Sequence, residues 1–183
     1  MKVFLNPGHD LVLDPGAVNN RKGLTEAELV AKIGAVCKEA LERAGIEVKL
    51  LQQDNLAGES GGWPTSVCGR SNFWGADIFV SIHINSAGAE TASGAETWAY
   101  QAGTRSDALA KCIQRQLIGT FDDLEDRGVR YSAGLCVLKN TSCPACLVEC
   151  GFLSNDDEAE LIANNTEAFG KAIARGITDY QLL

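Results

Sequence analysis

The feature of this sequence that most restricts its fold is the alternation of short β-type segments with longer helical ones. Segments rich in β-branched and aromatic residues are separated by stretches in which apolar residues recur every three or four positions. This order is typical of parallel strands joined by helices. We therefore predict an α/β fold with a mostly parallel, twisted sheet and helices on both of its faces, similar to phosphorylase/hydrolase-like folds.

The predicted strands lie at 3–6, 46–51, 77–85, 95–100 and 145–149, and the predicted helices at 26–44, 106–121, 156–163 and 166–179. Two stretches rich in Gly and Ser, 57–62 and 86–94, are predicted loops. With 183 residues, 45% of them hydrophobic, the chain can bury one substantial core. No change in composition divides it, so we expect a single domain over 1–183.

The charge balance excludes several kinds of partner. The sequence has 24 acidic and 16 basic residues, a formal net charge of -8, and no basic stripe that could neutralise phosphates. We therefore expect neither nucleic acid nor an anionic membrane surface as a partner. No apolar run approaches a membrane span, and the first apolar stretch is too short for a signal-peptide core. We expect a protein made without a signal, or a sequence trimmed from a longer one.

The cysteine pattern indicates thiols and not a disulfide framework. Seven cysteines cannot all pair with one another, and several lie within apolar runs. We expect synthesis in a reducing compartment. Cys143 and Cys146 have the Cys-x-x-Cys spacing of metal or redox sites, but they lie at the entrance of a predicted buried strand and no second such pair exists. We interpret both as packed thiols.

The sequence contains only two histidines, His9 and His83, and each lies where a predicted strand ends. The carboxyl ends of strands are where sites form in α/β sheets. Taken alone, His83 could be a hydrogen-bonded core residue and His9 part of a polar turn. Together they indicate a zinc site, because catalytic zinc takes neutral imidazoles and a carboxylate as three ligands and keeps one position for water.

The carboxylate ligand is expected at the start of the first predicted helix, from Glu26 or Glu28. Thr25 and Glu28 have the spacing of a capping box, in which the glutamate folds back to the threonine backbone N–H. That interpretation leaves Glu26 free to face the site. Glu26 could instead be a carboxylate that the helix dipole favours. The spacing favours Glu26 and keeps Glu28 as the alternative.

Glu149 ends a predicted strand that is otherwise apolar. An unpaired buried carboxylate costs several kcal/mol, or its pKa rises until it is neutral. Glu149 is therefore expected to be paired, linked to a metal or functional. The structural alternative is a hydrogen bond from the loop that follows.

These residues lie in blocks that resemble the zinc-dependent N-acetylmuramoyl-L-alanine amidases of the Amidase_3 family, which includes bacterial autolysins and phage endolysins. The resemblance covers nearly the whole chain, in blocks at 5–10, 14–17, 23–26, 70–72, 76–85, 94–97 and 144–155. It implies one Zn²⁺ ion held by His9, Glu26 and His83, with Glu149 as the catalytic carboxylate and not a fourth ligand. Arg70 departs from the family spacing, so no role is transferred to it.

The resemblance also implies a reaction and a substrate. The enzyme would hydrolyse the amide bond between N-acetylmuramic acid and L-alanine in peptidoglycan, with Glu149 as general base and acid. The alternatives are a zinc peptidase or amidohydrolase acting on another amide of the stem peptide, and a catalytically silent peptidoglycan-binding domain. We expect action at the cell wall and a phage or prophage origin. The sequence does not decide between phage lysis and wall remodelling, and it leaves the oligomeric state open.

Overall fold

The computed structural model describes residues 1–56 and 65–183. The strands of its main sheet are β1 (Lys2–Pro7), β4 (Glu47–Leu50), β5 (Ile78–Asn85), β6 (Ala95–Ala99), β7 (Asp126–Tyr131) and β8 (Ala145–Phe152), and a separate ribbon consists of β2 (Val18–Asn19) and β3 (Leu24–Thr25). The strand order in the main sheet is β4-β1-β5-β8-β6-β7. All neighbours are parallel except β6 and β8. The prediction of a mostly parallel α/β sheet is confirmed.

Helices cover both faces of the sheet, as predicted. They are α1 (Glu26–Arg43), α2 (Val67–Trp74), α3 (Arg105–Ile118), α4 (Cys136–Asn140), α5 (Asp156–Asn164) and α6 (Thr166–Gln181). Side chains alternate between the two faces along each strand. Leu5 and Val80 therefore join the larger core under α1, α3, α5 and α6, whereas Phe4 and Phe79 join a smaller core under α2 and α4. Among the described residues, no helix is long and apolar enough to span a membrane.

Several elements were absent from the sequence prediction for identifiable reasons. β7 is an edge strand with charged residues and no apolar alternation, which is how exposed edges avoid further pairing. α2 carries Gly69 and several polar residues, and α4 has only five residues. The predicted loop at 57–62 lies outside the described residues, whereas 86–94 contains no helix or strand, as predicted.

The seven cysteines are free thiols, as the sequence indicated, and five of them are buried. Burial raises the pKa of Cys68 to about 12 and that of Cys143 to about 11. Cys143 and Cys146 lie at the start of β8 without a disulfide between them. Thiols with such raised pKa values are poor nucleophiles near neutral pH.

The fold brings the candidate site residues together at one edge of the sheet. β1, β5 and β8 are adjacent and parallel, so their carboxyl ends meet there. His9 follows β1, whereas His83 and Glu149 occupy matching positions near the ends of β5 and β8. Between β1 and α1 the chain forms the β2–β3 ribbon. α1 then starts at the same edge of the sheet, with Glu26 as its first residue.

Candidate metal centre

Three side chains that are distant in sequence meet at the carboxyl edge of the sheet. One ligand atom from each of His9, Glu26 and His83 lies within 4.8 Å of the others, so this group could hold a metal ion. Glu26 lies between the imidazoles. Its Oε2 atom is 3.0 Å from Nε2 of His9, and its Oε1 atom is 3.0 Å from Nδ1 of His83.

The donor set and its spacing fit zinc. Two imidazoles and one carboxylate are a ligand combination of catalytic zinc sites, and bonds of about 2.0–2.1 Å in a tetrahedron separate the donors by about 3.3 Å. The observed separations of 3.0 Å are slightly shorter, because the acid and the imidazoles contact one another directly.

His9 is held by a tight hairpin that its own segment forms. Its φ of 64° is the only left-handed value at a non-glycine position among the described residues. Such a conformation costs about 1–3 kcal/mol and persists where the surroundings fix it. Here Asp10 and Asp14 exchange two backbone hydrogen bonds, and Oδ2 of Asp14 is 2.7 Å from Nδ1 of His9. Asp14 thereby turns Nε2 of the ring toward Glu26.

Glu26 is almost fully buried, with 4% of its surface exposed. Its two oxygens accept backbone hydrogen bonds from Ala17 and Ile84, both of 2.9 Å, in addition to the contacts with the imidazoles. Burial alone would raise the pKa of Glu26, but the hydrogen bonds from His83 and His9 outweigh it and lower the pKa to about 2. Glu26 is therefore a carboxylate throughout the neutral range.

The capping box predicted for Thr25 and Glu28 is wrong. The Thr25 side chain accepts no capping hydrogen bond, and Glu28 is exposed. The N–H groups of Glu26 and Ala27 instead donate to loop carbonyls at Ala17 and Pro15, at 2.9 and 3.1 Å. Because these carbonyls satisfy the first turn of the helix, no side-chain cap is needed. Glu26 faces inward through its own hydrogen bonds and not because Glu28 caps the helix.

The tautomer of His83 follows from its neighbours. The Asn6 amide nitrogen donates to the Leu51 carbonyl at 2.9 Å, which turns Oδ1 of Asn6 toward Ser81. The Ser81 hydroxyl then donates to that Oδ1 atom at 2.9 Å, so it can only accept from His83 Nε2, 3.1 Å away. Nε2 of His83 therefore carries a proton, whereas Nδ1 donates to Oε1 of Glu26 at 3.0 Å and offers a lone pair to a metal ion only after it loses its proton.

Gly8 makes room for the His83 ring. A Cβ atom added at Gly8 would lie 2.1 Å from Cε1 of His83. That separation is far shorter than a van der Waals contact, so any larger residue at this position would displace the imidazole. The glycine that precedes His9 therefore leaves the space that the His83 ring occupies.

Glu149 lies beside this cluster, and one of its carboxyl oxygens has no hydrogen-bond partner among the described residues. Its strand position pairs with His83 on β5 and with Glu96 on β6. The Oε2 atom is buried and makes no hydrogen bond with any residue that the structure describes. The pKa of Glu149 lies well above its ordinary value. Burial is the largest cause, and the negative charges of Glu26 and Glu96 add to it. The structural alternative was a hydrogen bond from the loop that follows, and no such bond reaches Oε2 within the described part of the chain.

The sequence analysis did not identify the residues around the cluster. Asp14 and Ser81 contact the far nitrogens of the two imidazoles. Asp14 could have been found from its position five residues after His9, whereas the Ser81 contact depends on the rotamer of His83. Arg70 lies in α2 and donates to the Thr65 carbonyl at 3.2 Å.

A buried carboxyl beside a group that could hold a metal ion is an arrangement found in metal-dependent hydrolases. The parallel sheet places that arrangement at the edge where α/β enzymes carry their sites. The fold and the cluster therefore define a metallohydrolase-type catalytic domain.

The chain belongs to the Amidase_3 family, whose description is N-acetylmuramoyl-L-alanine amidase and whose model matches residues 3–179. It is 32% identical over 178 residues to the N-acetylmuramoyl-L-alanine amidase CwlM of Bacillus licheniformis, covering 96% of this chain and 65% of that protein. It is 33% identical over 186 residues to the endolysin of Bacillus phage SPP1, covering 95% of this chain and 62% of that protein. The chain thus spans slightly less than two thirds of each relative.

Solved structures show the same fold. The N-acetylmuramoyl-L-alanine amidase AmiC2 of Nostoc punctiforme superimposes with a TM-score of 0.86 at 28% identity, covering 100% of this chain and 98% of that one. The match extends over the whole of this chain.

Proposed function

We propose that this chain is a zinc-dependent amidase that hydrolyses the bond between the lactyl group of N-acetylmuramic acid and L-alanine in peptidoglycan. The observation that carries the proposal is the buried, unpartnered Oε2 atom of Glu149 next to the cluster of His9, Glu26 and His83. Membership of the amidase family supports the choice of bond.

The proposed ligands are Nε2 of His9, a carboxylate oxygen of Glu26 and Nδ1 of His83. When Nδ1 of His83 loses its proton, Ser81 keeps the remaining proton on Nε2, so the lone pair lies on the nitrogen that faces Glu26. Glu26 supplies a permanent negative charge. A zinc ion in this group would supply Lewis acidity to the scissile carbonyl and to water.

Glu149 is proposed to move the proton. The carboxylate form of Glu149 would accept a proton from the attacking water, and the protonated form, which the raised pKa favours, would donate it to the leaving amine. The absence of a hydrogen-bond partner for Oε2 leaves that atom available for the reaction. Glu149 is proposed as a catalytic residue and not as a fourth ligand.

The family acts on the cell wall, and we propose the same place of action for this chain. The proposal includes a single catalytic domain over 1–183, with peptidoglycan as its substrate and no nucleic-acid partner. Relatives with similar identity come from a bacterium and from a phage, so the phage or prophage origin stays a prediction.

Digestion of purified sacculi tests the proposed bond directly. We expect mass spectrometry to find intact stem peptides with L-alanine at the amino terminus, and we expect a chelator to stop their release until zinc is added back. Shortened stem peptides would instead show a peptidase acting on another amide. Binding to sacculi without any released peptide would show a catalytically silent binding domain.

A further inference from the structure

The face of the sheet that carries Glu149 continues beyond it toward β7. Cross-strand pairs place His83, Glu149 and Glu96 in one row over β5, β8 and β6. Side chains in such a row project from the same face of the sheet. The candidate catalytic residues therefore extend into a line of polar groups that runs away from His9.

A second row lies two residues earlier along β8. It pairs Leu147 with Trp98 on β6, and Trp98 with Arg130 on β7. Arg130 thus projects from the same face as Glu149. Its Nε atom is 3.7 Å from Oε2 of Glu96, so the side chain bends from its own row toward the row of the catalytic carboxyl.

Glu96 organises this end of the face. Only 4% of Glu96 is exposed, and its Oε1 atom accepts from Trp98 Nε1 at 3.1 Å and from Asn85 Nδ2 at 3.3 Å. Oε2 accepts from Nε of Arg127 at 2.8 Å. The Arg127 guanidinium also donates to the Ser93 carbonyl at 3.2 Å. Arg127 and Glu96 therefore form a fixed ion pair with little capacity for a ligand.

Arg130 differs from Arg127 in having donors to spare. Its guanidinium makes no hydrogen bond within residues 1–56 and 65–183, and 48% of its side chain is exposed. Two guanidinium groups share the single carboxylate of Glu96, so that carboxylate does not neutralise both of them. A guanidinium with free parallel donors is well suited to bind a carboxylate.

The opposite end of the face is acidic. Asp10 and Asp14 belong to the hairpin that holds His9. Asp54 lies near them, because its pKa is raised by burial, as the largest cause, and also by the charges of Asp14 and Asp10. A ligand that crosses the catalytic residues would therefore meet negative charge near His9 and positive charge near Arg130. Such a gradient orients a substrate that is charged at only one end.

We infer that Arg130 binds a carboxylate of the stem peptide, so that the peptide crosses from β8 over β6 toward β7 while the sugar lies on the side of His9. The inference rests on the proposed function. In peptidoglycan the muramic acid carboxyl is consumed in the amide bond, whereas the stem peptide carries carboxylates after L-alanine. β8 and β7 are about 10 Å apart at two strand spacings, a distance that about three extended residues cover. Arg130 shortens it by bending from β7 toward Glu96 on β6.

The experiment compares two forms of one peptidoglycan in which the second stem residue is either D-glutamate, with a free α-carboxylate, or its amidated counterpart. The probes are kcat/KM values of the wild type, Arg130→Ala, Arg130→Lys and Arg43→Ala on both forms. Arg43 is the matched control, because it is exposed at the end of α1 distant from Glu26. Thermal melting of each variant confirms folding.

The expected result is a wild-type preference for the carboxylate form. Arg130→Ala should lower kcat/KM on that form by about 10- to 100-fold, mainly through KM, because a charge-assisted hydrogen bond is lost. The loss on the amidated form should be clearly smaller, so the preference collapses, and Arg130→Lys should retain part of it. Arg43→Ala should behave as wild type.

An equal loss on both forms, or no loss, would overturn the inference while leaving the proposed function intact. If the wild type releases no peptide with amino-terminal L-alanine from either form, the proposed function fails and the inference fails with it. The two failures are distinguishable, because the first is read from variants of an active enzyme and the second from the wild type itself.

Discussion

Glu149 and His83 are direct neighbours on adjacent parallel strands, in register on β8 and β5. Adjacent strands lie about 4.8 Å apart, so this register fixes the spacing between the unpartnered carboxyl and the cluster of His9, Glu26 and His83. Because the backbone of the sheet sets that spacing, it does not depend on a flexible loop. Sites built on regular elements hold their geometry more tightly than sites on loops.

Glu26 and Glu28 provide a matched pair for testing the carboxylate ligand. Glu26→Gln removes the negative charge between the imidazoles, so we expect bound zinc and activity to be lost. Glu28→Gln changes an exposed side chain two residues along the same helix, and zinc content and activity should stay at the wild-type level. Metal analysis of the purified variants measures the difference. Loss of zinc in Glu28→Gln with retention in Glu26→Gln would reverse the assignment.

Asp14 is predicted to act through His9. Its carboxylate lies 2.7 Å from the far nitrogen of the ring and fixes the direction of Nε2. Loss of such an outer partner typically weakens metal binding by about 10–100-fold. We expect Asp14→Asn to lower zinc affinity by about that factor in a competition titration with a chelating dye. Unchanged affinity with normal folding would show that the hairpin backbone alone orients His9.

The metal-free protein should lose stability as the pH rises through the range of His9. The hydrogen bond to Glu26, opposed by burial and supported by Asp14, raises the pKa of His9 from 6.5 to about 9. Protonated His9 therefore stabilises the folded state. This stabilisation is complete below pH 6.5 and is lost as the pH rises through about 9, where folded His9 loses its proton. Glu26 stays charged throughout.

Thermal melting in the presence of a chelator, at several pH values between 6.5 and 9, measures this effect. The Tm of the wild type should decrease over the range, and a His9→Gln variant should show a flatter dependence. Zinc binding at these pH values should release protons to the buffer, since the ligand must be a neutral imidazole. Identical pH dependence in the two proteins would contradict the assignment to His9.

The sequence allowed prediction of the parts of the site that regular strands carry. His9, His83 and Glu149 were placed at one edge because three apolar segments end at them and parallel strands align their carboxyl ends. Glu26 was reached through a capping box that does not form. Glu26 does face the two imidazoles, as predicted. The physical reason is that its oxygens accept hydrogen bonds from the backbone N–H groups of Ala17 and Ile84.

The remainder depends on contacts that a single sequence does not reveal. Ser81 and Asn6 are 75 residues apart, and their hydrogen bond fixes the His83 tautomer. Glu96 lies beside Glu149 because β6 runs antiparallel to β8, and Arg130 reaches Glu96 because β7 pairs with β6. A pattern of alternating strands and helices predicts parallel neighbours, so neither strand position followed from it.

The Glu149→Gln variant tests the central claim most directly. Glutamine preserves the shape of the side chain but cannot exchange the proton, so hydrolysis of sacculi should fall at least about 100-fold. Zinc content should remain at one ion per chain, whereas His83→Ala should lose both zinc and activity. A Glu149→Gln protein that keeps full activity would contradict the account, and one that loses its zinc would show that Glu149 is a metal ligand.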